Sequence, residues 1–149
     1  MIRKATLKDL DQVTRLFDEY VVFYKNPSNY EKHKAYLKER LENNEATVFL
    51  AFDENNPDKA IGFALIYVTF SSLALNKIVI LNDLFVDPEI RKNGTGEKLI
   101  LETIAFAKEL GTKTIRLRTA KNNIIAQKLY HKMGFIRDEV LYSYDLTLK

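Results

Sequence analysis

The chain has 149 residues, a net charge of +3 and no cysteine. This length fits a single domain, residues 1–149, that buries enough surface to fold unaided. The lack of cysteine excludes disulfides, thiolate metal sites and cysteine nucleophiles, and two histidines alone do not build a typical zinc site, so we expect no metal. No apolar run reaches the roughly 18 residues of a membrane helix, so we expect no membrane partner and a cytoplasmic location.

The charge is unevenly distributed along the sequence. Residues 91–132 hold ten Lys and Arg against three Glu, a net +7, whereas the rest of the chain has a net −4. Such a segment attracts an anionic partner. The basic residues are spread over a loop, a helix and a strand, without the aromatic-plus-basic pattern of a base-stacking surface, so we expect no nucleic acid.

The apolar spacing predicts a chain in which strands and helices alternate. Predicted strands cover residues 2–7, 46–53, 60–70, 77–87, 113–119 and 140–148. Predicted helices cover residues 7–24, 29–44 and 94–110 and a short segment from 124 to 133. Thr6 with Asp9, and Ser28, are placed to cap the first two helices, and Gly111 is placed to end the third. The predicted order is β-α-α-β-β-β-α-β-α-β, an α/β fold (an α+β mixed sheet) with helices on its faces.

Two adjacent polar residues, Asn82 and Asp83, interrupt the apolar strand over 77–87. Neighbouring strand residues point to opposite faces, so one of the two faces the core, where an unpaired polar group costs about 1–3 kcal/mol. A β-bulge resolves the conflict by splaying the strand and leaving backbone groups for a ligand. The alternative is a satisfied core Asn or Asp near a strand end.

The loop after this strand has the composition of an anion site. It runs Arg91-Lys92-Asn93-Gly94-Thr95-Gly96-Glu97 and leads into a helix, whose first N–H groups and dipole favour negative charge. A third glycine and a Gly-Lys-Ser/Thr sequence are both missing, which excludes the Rossmann fingerprint and the Walker A loop. The alternative is a tight β-α turn with incidental cations.

The short helix after residue 123 carries a candidate proton donor. Asn123 is placed to cap it, and Ala126 leaves room beside Tyr130 one turn later. A phenol, with an unperturbed pKa of about 10, can donate a proton. The alternative for a tyrosine at this spacing is core packing.

Together these three elements resemble the GCN5-related N-acetyltransferases (GNAT). The resemblance rests on Arg91-x-x-Gly94-x-Gly96 after a strand, then on Asn-x-x-Ala-x-x-Leu-Tyr over 123–130 and Gly-Phe at 134–135. The stretch 80–87 and the Leu-Tyr helix are most similar to the histone, polyamine and D-amino-acid N-acetyltransferase subgroup.

The resemblance implies a site for the cosubstrate acetyl-CoA. The backbone of Leu84, Phe85 and Val86 is expected to pair with the pantetheine amides, and Asn123 to reach the pantetheine arm. The pyrophosphate is expected at the segment formed by Arg91, Lys92, Asn93, Gly94, Thr95, Gly96 and Glu97. CoA carries about four negative charges near neutral pH, so it matches the basic segment.

The implied reaction is direct attack of a primary amine on the thioester in a ternary complex. Tyr130 is expected to protonate the departing thiolate. The general base is open: Asp83, water, or a residue of the N-terminal helices. Asn82 stands where some polyamine-acetylating relatives have a Glu, and an amide is no base.

The resemblance leaves the acceptor open: a small-molecule amine, or the lysine or N-terminal amine of a peptide. Tyr20, Phe23, Tyr24, Tyr30 and Tyr36 are expected mainly in the core, with some lining the acceptor pocket. Family analogy implies a homodimer, through the last strand. The alternative function is a catalytically silent CoA-binding regulatory or interaction domain.

Overall fold

In the computed structural model, which describes residues 1–90 and 93–149, five strands form one mixed sheet. The strands are β1 (Ile2–Lys4), β2 (Thr47–Asp53), β3 (Asn56–Ser71), β4 (Asn76–Val86) and β5 (Ile115–Arg116). They lie in the order β1-β2-β3-β4-β5, antiparallel except for the parallel β4–β5 pair. The parallel pair requires a crossover, which a helix between the two strands supplies. The predicted mixed α/β fold is confirmed.

The helices are α1 (Leu10–Phe23), α2 (Tyr30–Glu42), α3 (Thr95–Leu110) and α4 (Ile124–Lys132). The predicted capping box of Thr6 and Asp9 is present, at a short 3₁₀ turn that leads into α1. The predicted cap of α2 is wrong by one residue. Asn29 accepts the hydrogen bond from the Lys32 amide, whereas the Ser28 hydroxyl donates to the Asp18 carboxylate, a charged and therefore stronger acceptor.

The helices cover both faces of the sheet. Val48 and Leu50 of β2 share a buried cluster with Leu16 of α1 and Leu37 of α2. Phe49, which alternates with them, faces the other way and meets Phe106 of α3, with ring centroids 6.0 Å apart. The layers are therefore α1 and α2, then the sheet, then α3.

Gly62 of β3 lets these layers approach closely opposite the end of β4. A Cβ at this position would lie 2.9 Å from the Phe85 carbonyl oxygen and 3.4 Å from Leu99 Cδ1 of α3. A real side chain does not fit without moving β4 or α3. Glycine here fixes the position of the β4 segment that follows Asp83.

The predicted final strand over 140–148 is wrong. Its alternation gives an apolar row whose members are 84–90% exposed: Val140, Tyr142, Tyr144, Leu146 and Leu148. A strand also needs the N–H and C=O groups of a neighbour, and no described strand pairs with this segment. The fifth strand is likewise shorter than the predicted 113–119, because only Ile115 and Arg116 lie in register with β4.

The chain consists of two compact units, Met1–Arg118 and Thr119–Lys149. The first contains the sheet with α1, α2 and α3, and the second contains α4 and the segment that follows it. That the chain functions as a single domain stays a prediction. Every helix in the described ranges is too short or too polar to cross a membrane.

Candidate functional site

Of the two alternatives for the polar pair in β4, the structure shows the bulge. Leu65 of β3 pairs with Asp83 and Ile66 pairs with Leu81, so Asn82 is an extra residue on β4. On the other side, β5 pairs with β4 only at Val79 and Ile80, before the bulge. Leu84, Phe85 and Val86 therefore follow beyond the end of the β4–β5 ladder, in a strand that the bulge has bent.

Asp83 is a half-buried carboxylate with neutral hydrogen-bond donors. The Asn82 amide nitrogen donates to it over 2.9 Å, and the Tyr20 hydroxyl is a second donor. Burial raises the pKa of Asp83, and the two hydrogen bonds oppose this effect only in part. None of the ion pairs among the described residues includes Asp83. The carboxylate is thus a better proton acceptor than an exposed aspartate.

Tyr20 and Tyr67 lie near this carboxylate, and rings from two further elements pack against them. Tyr20 of α1 also meets Phe85, with ring centroids 5.8 Å apart. Tyr67 of β3 lies close enough to Asp83 for the carboxylate charge to raise the pKa of Tyr67. Burial and the Tyr36 hydroxyl raise the pKa of Tyr67 more than Asp83 does. The hydroxyls of Tyr36 and Tyr67 are 2.6 Å apart. These rings form the α1–α2 side of the site.

An open pocket of about 570 Å³ extends from Tyr67 towards the end of α2. Arg40 lines it, with its guanidinium carbon 4.6 Å from the Tyr36 ring centroid and ion pairs to Glu39 and Glu45. Sequence analysis missed both Tyr67 and Arg40. The alternation of β3 predicts only that the Tyr67 side chain points towards α1 and α2. It does not predict the contact with Tyr36 of α2, which is 31 residues away in sequence.

The glycine loop opens α3 in a left-handed conformation. Gly94 has φ = 79° and forms the N-cap, and the Lys98 amide bonds back to its carbonyl. The backbone amides of Thr95, Gly96 and Glu97 precede that first intrahelical bond, as the first N–H groups of any α-helix do. The Thr95 hydroxyl donates to the Asn93 side-chain oxygen over 2.7 Å, which fixes the turn. The predicted Arg91 and Lys92 lie outside the described residues.

The predicted Asn123 and Tyr130 lie together in the second unit. Asn123 caps α4, as expected, by accepting a hydrogen bond from the Ala126 amide over 3.2 Å. Tyr130 is half-buried, and its ring meets Phe135 edge to face with centroids 5.8 Å apart. Gly134 between them has φ = 97°, which the turn after α4 requires. Asn123 and Tyr130 are thus held by one short helix, α4.

The chain is similar to known acetyltransferases. Residues 10–135 match the acetyltransferase (GNAT) family. An uncharacterized N-acetyltransferase, YhfO, of Bacillus subtilis (strain 168) is 37% identical over 147 residues, which cover 99% of this chain and 97% of that protein. The D-amino-acid N-acetyltransferase HPA3 of Saccharomyces cerevisiae is 41% identical over 93 residues, 62% of this chain and 57% of that protein. A crystal structure of a probable acetyltransferase, 33% identical, superposes with a TM-score of 0.93 over 100% of this chain and 98% of that chain.

Proposed function

The chain belongs to the acetyltransferase (GNAT) family and is an acetyltransferase enzyme, and we propose that it moves the acetyl group of acetyl-CoA directly to a primary amine. One observation carries the proposal: the bulge at Asn82 bends β4 just where its ladder with β5 ends. It places Asp83 on the side of α1 and α2, while the backbone of the next three residues continues towards the start of α3. A cosubstrate and an acceptor can therefore reach one point of β4 from two sides.

The described residues fit acetyl-CoA in two respects. Past the β4–β5 ladder, Leu84, Phe85 and Val86 present an extended backbone that a pantetheine arm can follow like an added strand. Among the residues that the structure describes, no side chain or distant backbone atom lies within 4 Å of where a Cβ on the left-handed Gly94 would be, so a phosphate can approach the first amides of α3. We assign the pyrophosphate to Asn93, Gly94, Thr95, Gly96 and Glu97, with Arg91 and Lys92 supplying charge, and the pantetheine arm also to Asn123.

Bound acetyl-CoA supplies the activated thioester carbonyl. A backbone N–H of β4 near the bulge stabilises the negative charge that develops on the carbonyl oxygen. As the C–N bond forms and the C–S bond breaks, Tyr130 gives its phenolic proton to the departing sulfur, and the proton that the nitrogen must still lose to become an amide restores the phenol. Asp83 takes the proton from the acceptor ammonium, directly or through water, and its raised pKa suits that step.

The acceptor is a small-molecule amine or the lysine or N-terminal amine of a peptide. We also propose that the protein is cytoplasmic and acts as a homodimer. The exposed alternating row of residues 140–148 supports the homodimer, because such a row has the pattern of a strand whose partner is another chain.

The proposal is tested by measuring CoA release with polyamines, amino acids of both hands and lysine peptides as acceptors. With the best acceptor, Tyr130→Phe should lower kcat by about 100-fold, the usual effect of losing a general acid. Tyr30→Phe is the matched control, because its hydroxyl is 3.1 Å from Asp11 on the outer side of α1. That variant should keep the parental kcat.

Two results would contradict the proposal in different ways. A Tyr130→Phe variant with parental kcat would remove the proton-donor role and leave acetyl transfer intact. A protein that binds acetyl-CoA but releases CoA with none of the amines would instead be the catalytically silent binding domain.

A further inference from the structure

A group of aromatic rings at the end of α1, beside the bulged strand, runs from the buried Phe85 to exposed rings at the surface. We call Tyr20, Phe23, Tyr24 and Phe85 the aromatic patch. Their ring centroids are 5.1 Å apart for Tyr20 and Tyr24, 5.2 Å for Phe23 and Tyr24, and 5.9 Å for Phe23 and Phe85. Phe23 and Tyr24 are 45% and 43% exposed. Two large rings at neighbouring positions of one helix end thus remain in contact with solvent.

Asp83 lies at the inner end of the aromatic patch. Tyr20 connects the two, because its hydroxyl donates to Asp83 while its ring packs against Phe85. Asp83 and Phe85 are two residues apart on β4, so their side chains share a face and lie roughly 7 Å apart along the strand. The outer rings, Phe23 and Tyr24, extend this surface away from the carboxylate.

The charges around the aromatic patch favour an acceptor with one ammonium group. Asp83 faces the aromatic patch, and its described hydrogen-bond donors, Asn82 and Tyr20, are both neutral. The neighbouring acids of α1 are engaged elsewhere: Asp18 with His33 at 2.8 Å and Glu19 with Arg15 at 3.2 Å. A second ammonium a few bonds from the first would therefore meet rings rather than an available carboxylate.

Taking the proposed acetyl transfer as its premise, we infer that the acceptor is a primary amine carrying an aromatic ring two or three bonds from its nitrogen, with the nitrogen at Asp83 and the ring on the aromatic patch. The exposed faces of Phe23 and Tyr24 offer edge-to-face or offset stacking to such a ring. The ammonium is also attracted by the Tyr20 ring before it loses its proton. A linear polyamine has no ring to stack on Phe23 or Tyr24.

The test compares amines that differ only in the ring. For the parent protein, kcat/KM should be at least tenfold higher for phenethylamine than for n-propylamine, and higher for phenylalanine than for alanine of the same hand. Spermidine should be poorer than phenethylamine. Binding of phenethylamine and n-propylamine to the CoA-saturated protein, measured by calorimetry, should show the same preference for the ring.

Variants of the patch separate recognition from folding. Phe23→Ala and Tyr24→Ala should each reduce the preference for phenethylamine over n-propylamine by about tenfold. Val22→Ala truncates a neighbouring exposed side chain on the same helix, 48% exposed, and should keep both the preference and the melting temperature.

The possible outcomes distinguish this inference from the proposed function. Efficient turnover of spermidine or n-propylamine, with no preference for the ring, would overturn the aromatic acceptor and leave acetyl transfer standing. Ring-dependent binding to the CoA complex without turnover of any amine would support the aromatic subsite while the proposed acetyl transfer fails. A preference for the ring that survives both alanine variants would overturn the assignment to the patch.

Discussion

Asp83 combines three properties of a general base: half-burial, neutral hydrogen-bond donors and a position at the bend of β4. A base must be ionised to accept a proton, and burial raises the pH at which Asp83 ionises. The acidic limb of the kcat/KM profile should therefore lie above the ordinary aspartate range near pH 4. Below that limb the carboxylic acid cannot accept the proton of the ammonium.

We predict that Asp83→Asn lowers kcat/KM by about 100-fold at neutral pH and removes the acidic limb, because an amide does not accept the proton. The measurement is kcat/KM between pH 5 and 9 with the best acceptor. Asn82→Ala is a useful comparison, because it removes one donor to the carboxylate and should shift the limb to higher pH without removing it. Full activity of Asp83→Asn across this pH range would exclude Asp83 as the base.

At the level of secondary structure, both ends of α3 are defined by left-handed glycines. Gly94 has φ = 79° before the helix and Gly111 has φ = 75° after it. In the part of the chain that the structure describes, no side chain or distant backbone atom lies within 4 Å of where a Cβ at either position would be. A substitution at either position therefore costs backbone strain rather than a steric clash. Substitutions of Gly94 and Gly111 can therefore be compared directly, because only Gly94 lies at the proposed pyrophosphate site.

Gly94→Ala and Gly111→Ala should each destabilise the protein by about 1–2 kcal/mol, the usual cost of a left-handed non-glycine residue. Only Gly94→Ala should weaken acetyl-CoA binding, by about tenfold, because its Cβ and the altered backbone lie where a phosphate approaches the first amides of α3. Chemical denaturation and calorimetric titration with acetyl-CoA measure the two effects. Equal weakening in both variants would mean that helix stability, rather than the glycine loop, governs binding.

The elements that sequence analysis predicted well are those defined by nearby residues. The capping box at Thr6, the glycine at the end of α3 and the Asn123 cap each depend on hydrogen bonds or dihedral angles within a few positions. The bulge at Asn82 was predictable because two polar residues in an apolar strand conflict locally. The final strand was not, because alternation reports which side chains share a face and not whether a partner strand exists.

The residues of the candidate site likewise fall into those that the sequence predicts and those that it does not. Asp83 and Gly94 stand out in the sequence because each breaks a local pattern. Tyr67 and Arg40 do not, since their importance arises only when α2 packs against β3 and brings the Tyr36 and Tyr67 hydroxyls within 2.6 Å. Likewise the aromatic spacing on α1 fits a core helix, and only the packing shows that Phe23 and Tyr24 remain exposed at its end.

For the whole molecule, the most distinctive feature is the apolar row after α4. Five alternating side chains between residues 140 and 148 are 84–90% exposed, which is far more apolar surface than isolated exposed residues present. An unpaired segment of this pattern is a template for edge pairing, so a lone copy of the chain is prone to associate. The proposed homodimer offers each copy a defined partner for this segment.

We predict that the protein is a dimer in solution and that Leu146→Asp converts it to a monomer, because the charge interrupts the alternating row. Thr147→Asp, its neighbour on the opposite side of the alternation, is the matched control and should stay dimeric. Size-exclusion chromatography with light scattering gives the masses, and circular dichroism checks that both variants fold. A monomeric parent, or a Leu146→Asp variant that remains dimeric, would show that the row does not form the interface. If the dimer dissociates while kcat/KM with acetyl-CoA stays unchanged, each chain holds a complete acetyl-transfer site of its own.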